Sequence, residues 1–143
     1  RLIDLGIDFI SLYAHHTPPW LLQKSIETMI AISSENSSDY VKGFEALNVN
    51  AMEASIIPAK GYGDPLSLHD LLVYEHLVKS CSSPVIVPTQ RKVGIKDVKS
   101  LMDVGVKGLM IGAIVTGVEP DSVYEATHAF RSKIDEYVGG VKP

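Results

Sequence analysis

The stretch PVIVPTQRKVGIKDVKSLMDVGVKGLMIGAIVTG, Pro84 to Gly117, decides how this chain is read. After Pro84 comes Val85-Ile86-Val87, β-branched throughout. That is the pattern of a short strand buried on both faces, as in a parallel sheet. Thr89-Gln90-Arg91-Lys92 makes a polar turn. The spacing then predicts a helix over Ile95 to Val104, with Val98, Leu101 and Met102 on one face. Gly105 stands where a helix C-cap glycine belongs, because glycine enters the left-handed region cheaply. A second apolar run, Gly108 to Ile111, ends at Gly112-Ala113. Strand, helix, strand with short connections is a parallel βαβ unit.

The same junction occurs twice. Arg1–Ala14 (RLIDLGIDFISLYA) aligns with Ser100–Ala113 (SLMDVGVKGLMIGA), placing Leu2 on Leu101, Asp4 on Asp103, Gly6 on Gly105 and Ala14 on Ala113. Each copy is a helix end, a glycine cap and a strand, which points to a repeated α/β architecture. The first copy holds only the end of its helix, which suggests a longer, processed or differently started protein.

Working outward, Ile7 to Ala14 is a predicted strand. Thr17 is a candidate N-cap for a helix from Pro18 to Ser33, with Leu21, Leu22, Ile26, Met29, Ile30 and Ala31 on its apolar face. Ser33 to Asp39 is a polar break, and Tyr40 to Leu47 a short helix or turn. A third strand is predicted over Asn50 to Ile57. Two Gly and two Pro in Pro58–Pro65 make that segment a loop. A helix follows from Leu66 to Ser82, and a last one from Pro120 to Val138, with acidic charge at its start. Gly139-Gly140 ends it, and the tail beyond is expected to fray. The expectation is one α/β domain with four strands and four main helices in alternation. Four βα units are half of an eight-stranded barrel, so the chain reads as part of a longer (βα)8 barrel. An open, flavodoxin-like parallel sheet is the alternative. In either fold the ligand site lies at the carboxyl ends of the strands.

Composition narrows the partners. The 143 residues are 45% hydrophobic and 21% charged, with a net charge of −4, ordinary for a globular domain. No basic block or arginine-rich face argues for nucleic acid. Cys81, the only cysteine, cannot form an intrachain disulfide and hints at a reducing compartment. No apolar run approaches the roughly 20 residues that span a bilayer, and no signal-peptide pattern opens the chain. A cytoplasmic protein without membrane contact is the expectation.

Val87 to Gly117 resembles the last quarter of the phosphate-binding (βα)8 barrels. The matching helix is Lys96-Asp97-Val98-Lys99-Ser100-Leu101-Met102-Asp103-Val104-Gly105, and the matching turn after the last strand is Met110-Ile111-Gly112-Ala113. Ile114 to Gly117 with Glu119-Pro120 is similar to the close of the orotidine-phosphate-decarboxylase-like and sugar-phosphate epimerase members. The resemblance covers about a third of the chain in detail. It implies a small anionic metabolite, with Gly112 and Ala113 at the phosphate. The family's glycine pair after the preceding strand is replaced here by Pro88-Thr89-Gln90-Arg91-Lys92. Thr89, Gln90 and Arg91 could supply side-chain donors instead, or form a solvated loop.

Four residues are candidates for chemistry. His15 and His16 follow a strand on the ligand side, where a histidine can act as general acid or base. The plainer reading packs one and solvates the other. As a metal pair they are poor, because neighbours on an extended chain point opposite ways. Glu53 lies inside the apolar run Ala51 to Ser55, where a carboxylate is costly unless paired. It is either a site residue or half of a structural pair with a lysine or arginine. Lys60 could serve as a Schiff-base amine or an anion contact, or sit solvated in its loop. Gly61-Tyr62-Gly63-Asp64 lacks the context of a dinucleotide fingerprint, and no metal or nucleotide cofactor is expected. His69, His76 and His128 fall on helices, while Trp20, Phe44 and Phe130 read as core. Together these predict a barrel-type lyase or isomerase using Glu53 and a histidine. The alternative is a non-catalytic ligand-binding or dimerising module, and an apolar half-barrel flank favours a homo-oligomer.

Overall fold

The computed structural model describes residues 2 to 140, without the side chain of residue 45. Arg1 and the tail expected to fray lie outside the described residues. The strands are β1 (Phe9–Tyr13), β2 (Glu27–Ile32), β3 (Ala51–Ala54), β4 (Val85–Pro88) and β5 (Gly108–Met110). They form one five-stranded sheet in the order β1-β2-β3-β4-β5, and every pairing is parallel. A flavodoxin-like sheet reverses its strand order at a switch point. This one never reverses, so each crossover advances the sheet in the same direction, as in a barrel.

The structure corrects the reading of residues 17 to 32. There are five strands rather than four, because the helix expected over Pro18 to Ser33 does not form. The Pro18-Pro19 pair instead opens a 3-10 turn, Pro19–Gln23, and the chain then straightens into β2. Thr17 does not cap that turn; its hydroxyl donates to the Tyr13 carbonyl at 3.0 Å. The physical cause lies in β2 itself. From Thr28 to Ile32 all its residues are buried, so its apolar run has no polar face to show a period of two. Periodicity cannot separate such a central strand from a buried helix. Trp20, expected in the core, stands 57% exposed on the 3-10 turn.

Register sorts the side chains into two layers. Ser11, Met29, Ala51, Glu53, Ile86 and Gly108 share the inner face. Ile30, Ile32, Met52, Ala54, Val85 and Val87 point the other way, into the main core. The helices α1 (Ser38–Lys42), α2 (Leu68–Ser80), α3 (Val98–Asp103) and α5 (Pro120–Gly140) cover this outer face. They contribute Val41, Tyr74, Leu77, Val98, Leu101 and Phe130 to its core. A short helix, α4 (Ala113–Thr116), leads from β5 into α5.

Gly105 closes α3 with φ of 96°, and Gly6 ends the 3-10 turn before β1 with φ of 79°. The repeat seen in sequence is thus a repeated left-handed junction. At Gly105 a Cβ would also lie 2.8 Å from Val78 Cγ1. Gly105→Ala is therefore expected to lose about 2–3 kcal/mol, from left-handed strain and overpacking together. A denaturant midpoint unchanged from wild type would contradict this.

Candidate active site

The ends of β3, β4 and β5 build a shallow depression of about 330 Å³ on the inner face. It is lined by Glu53, Tyr62, Thr89, Gln90, Gly112 and Ala113, with Pro88, Met110, Ile111 and Ile114 as its apolar part. Five of the nine residues singled out in sequence thus meet here: Glu53, Thr89, Gln90, Gly112 and Ala113.

Glu53 reaches this place because β3 alternates. Met52 and Ala54 go to the core at 0% exposure, which turns Glu53 inward. Its partners are two hydroxyls rather than a lysine or arginine. Ser11 Oγ donates to Oε2 at 2.6 Å, and Ser55 Oγ donates to Oε1 at 2.9 Å. Ser11 lies on β1, two strands away. The small Ala31, paired with Glu53 on β2, leaves the carboxylate room to reach across. Ser55 belongs to the same alternation, two residues after Glu53.

Gln90, only 7% exposed, ties this carboxylate to the loop after β3. Its Oε1 accepts from the Ile57 amide at 3.0 Å. Its Nε2 donates to Tyr62 Oη at 2.6 Å, with Ser55 Oγ at 3.5 Å. Tyr62, Gln90, Ser55, Glu53 and Ser11 therefore form one continuous polar chain along the depression. Sequence reading missed Ser11, Ser55 and Tyr62. Ser11 and Ser55 were findable as hydroxyls on the same alternating faces; Tyr62 comes from a loop whose path no local pattern fixes.

Opposite Glu53, the loops after β4 and β5 are joined. The Gly112 amide donates to Thr89 Oγ1 at 2.9 Å, and the Thr89 amide donates to the Met110 carbonyl at 3.0 Å. Gly112 precedes α4. The amides of Ala113 and Ile114, first in that helix, have no intrahelical acceptor. Two lining residues thus present backbone donors beside a threonine hydroxyl.

The remaining candidates lie elsewhere. His15 and His16 are exposed in a 3-10 turn after β1, with ring centroids 4.1 Å apart. Neither lines the depression. Lys60 is exposed in the loop after β3. Arg91 turns to the helix side, where Nη2 meets Asp70 Oδ1 at 3.0 Å. Its Nη1 meets the Gly61 carbonyl at 2.8 Å and Asp64 Oδ2 at 3.2 Å. Asp70, whose side chain is 3% exposed, also completes a capping box with Ser67 at the start of α2. Burial works to raise its carboxyl. The hydroxyl and amide of Ser67, and then Arg91, outweigh this and hold it below the usual carboxylate range.

Burial also pushes the neighbouring Tyr74 hydroxyl up to about 12, helped by the Asp70 charge and opposed by Arg91. An unfolded tyrosine ionises near 10, so between about 10 and 12 the unfolded chain has released a proton that the folded chain keeps. Stability therefore falls as pH rises through that window. Tyr74→Phe is expected to lose on the order of 2 kcal/mol less than wild type between pH 10 and 12. Equal alkaline slopes in urea titrations would refute this.

A second cleft, about 360 Å³, lies between α1 and α2 and is bordered by His69, His76, Asp70 and Arg91. His76 Nε2 is 2.5 Å from Ser38 Oγ there. The cleft's lining also includes Ile32 to Ser34 at the end of β2 and Ile56 to Pro58 after β3, so it lies beside the carboxyl ends of these strands on their helix side. Among the described residues no cluster of histidine, cysteine and carboxylate groups could hold a metal. None of their helices is long and apolar enough to cross a membrane.

No protein-family model matches the chain, and no curated protein matches it. Solved structures do match in fold. The thiamine phosphate pyrophosphorylase of Pyrococcus furiosus superposes with a TM-score of 0.66 at 17% identity, over 94% of this chain and 63% of that one. The 3-hexulose-6-phosphate synthase of Salmonella typhimurium gives 0.64 at 14% identity, over 94% and 65%. The N-acetylmannosamine-6-phosphate 2-epimerase of Clostridium perfringens gives 0.57 at 20% identity, over 89% and 58%. This chain thus spans less than two thirds of each. These are TIM-barrel enzymes, and at such identities the likeness is one of fold. The chain has the α/β fold of five consecutive strands of a TIM barrel with their helices.

Proposed function

We propose that this chain carries the active site of a TIM-barrel lyase or isomerase acting on a small phosphorylated metabolite. Its nearest kin would be the orotidine-phosphate-decarboxylase-like and sugar-phosphate epimerase barrels. The observation that carries this reading is the meeting of two kinds of group in one depression. A hydrogen-bonded carboxylate, Glu53, stands on one side. The loops after β4 and β5 and the start of a short helix stand on the other. In TIM barrels a phosphate site is often built from the loops after the last two strands and the N-terminus of a short extra helix. Helix-start amides suit an anion because their N–H groups and the peptide dipoles point at it. Thr89, Ala113 and Ile114 hold the phosphate in this reading, and Glu53 moves a proton at the carbon skeleton. Ser11 and Ser55 fix the carboxylate's orientation. Gln90 acts through Ser55, since its amide is engaged by Ile57 and Tyr62.

The test is calorimetric binding of ribulose 5-phosphate and glucose 6-phosphate, against ribulose and glucose, to the complete gene product. Phosphate esters should bind and the free sugars should not. A bound ester should then exchange the hydrogen next to its carbonyl with deuterated water, followed by NMR. Equal affinity for esters and free sugars would sink the reading.

A further inference from the structure

We propose that the Tyr62 hydroxyl is the acid that works with Glu53, and that the substrate is therefore a phosphorylated carbonyl compound. The phenol donates to the carbonyl oxygen while Glu53 takes the proton from the neighbouring carbon. This rests on the phosphate-ester reading above and adds a residue and a substrate class to it.

Gln90 determines where the Tyr62 proton goes. Its Oε1 faces the Ile57 amide at 3.0 Å. An amide N–H is met only by an acceptor, so this contact fixes which end of the Gln90 side chain is oxygen. Nε2 therefore faces Tyr62 Oη, at 2.6 Å, and has only hydrogens to offer. The phenol oxygen must accept in that contact, and its own hydrogen is left over. Among the described residues Gln90 is the hydrogen-bond partner of Tyr62 Oη, so that hydrogen has no acceptor of its own.

Glu53 is open in the complementary sense. Each of its oxygens accepts one hydroxyl, from Ser11 and from Ser55, and keeps a second lone pair. Both Tyr62 and Glu53 line the depression. It thus offers a base with spare lone pairs and an acid with a spare proton. Tyr62 is also held on both sides. Arg91 Nη1 donates to the Gly61 carbonyl before it at 2.8 Å, and the Gly63 amide after it donates to the Gln90 carbonyl at 2.9 Å. A donor fixed in advance stabilises developing charge without reorganising.

The step balances. The C–H bond beside the carbonyl breaks, and its proton goes to Glu53. Its electron pair forms the carbon–carbon double bond, the carbonyl π pair moves to oxygen, and that oxygen takes the Tyr62 proton. Gln90 Nε2 stabilises the phenolate left behind. Return of one proton from Glu53 to carbon, and of the other from the enol oxygen to the phenolate, restores both residues. A carbonyl is what such a pair selects, because oxygen must gain a proton as carbon loses one.

The test uses ribulose 5-phosphate, an open-chain ketone ester, with the complete gene product. NMR in deuterated water follows exchange of the hydrogen next to the carbonyl, and difference infrared spectroscopy follows the carbonyl stretch of the bound ester. Binding to the wild type should lower that frequency. Tyr62→Phe should return it to the solution value and slow exchange about 10²–10³-fold, with ester affinity and melting temperature little changed. Glu53→Gln should slow exchange but keep the lowered stretch, which separates the two roles. A Tyr62→Phe protein that exchanges at the wild-type rate, or still lowers the stretch, overturns the Tyr62 assignment and leaves the phosphate reading standing. So does a lower melting temperature with exchange kept, because Tyr62 is then only a loop anchor. Failure of the ester to bind the wild type overturns both.

Discussion

Replacing Arg91 with alanine is expected to destabilise the protein by about 3–5 kcal/mol, the usual cost of removing one partner from a buried ion pair. Asp70 would keep its place at the start of α2 with a side chain 3% exposed and its guanidinium partner gone. The loop after β3 would also lose its ties to Arg91 through the Gly61 carbonyl and Asp64. At about 3 °C per kcal/mol for a domain of this size, the melting temperature should fall by roughly 10 °C or more. The double variant Arg91→Ala with Asp70→Asn should be less destabilised than the sum of the single changes, because the stranded charge is then absent.

The pH dependence has a definite sign. The folded Asp70 carboxyl is held below its ordinary value. Its contribution is therefore fully present above the unfolded value of about 3.9, and is lost as pH falls through the folded value. Arg91→Ala should shrink that acid-sensitive part, seen as a shallower loss of stability below about pH 4 in urea titrations. A variant with wild-type acid dependence and melting temperature would show that Arg91 is free for another task.

Replacing Glu53 with glutamine is expected to lower kcat by about 10²–10⁴, the range for loss of a general acid or base. KM for the phosphorylated substrate should change little, since the proposed phosphate contacts belong to the loops after β4 and β5 that line the other part of the depression. Stability should stay within about 1 kcal/mol, because an amide of the same shape can still bond Ser11 and Ser55. Steady-state kinetics with a parallel melt separates the two roles. A variant that unfolds early but keeps kcat would make Glu53 a structural residue.

The βα rhythm was legible wherever local chemistry was distinctive. Val85-Ile86-Val87 is β-branched, Gly105 is the residue that adopts a positive φ cheaply, and the Leu2-to-Ala14 repeat echoes one junction twice. Glu53 was legible because it interrupts an apolar strand. Other features were not readable. β2 is an interior strand with nearly every side chain buried, so its apolar run carries no strand period. Arg91 looks like an anion ligand beside Thr89 and Gln90. Its direction is set by Asp70 on α2, 21 positions away. The hydroxyls on Glu53 come from 42 and two positions away.

The sequence by itself determined the units: strand, glycine-capped helix and strand, with a carboxylate turned against an apolar face. These follow from single-residue preferences and short periods, which act within a few positions. The tertiary structure decided the number and order of the strands, the partners of Glu53 and the side to which Arg91 points. Those depend on parallel register and on which buried charge finds which partner, and such pairings join residues that no local pattern connects.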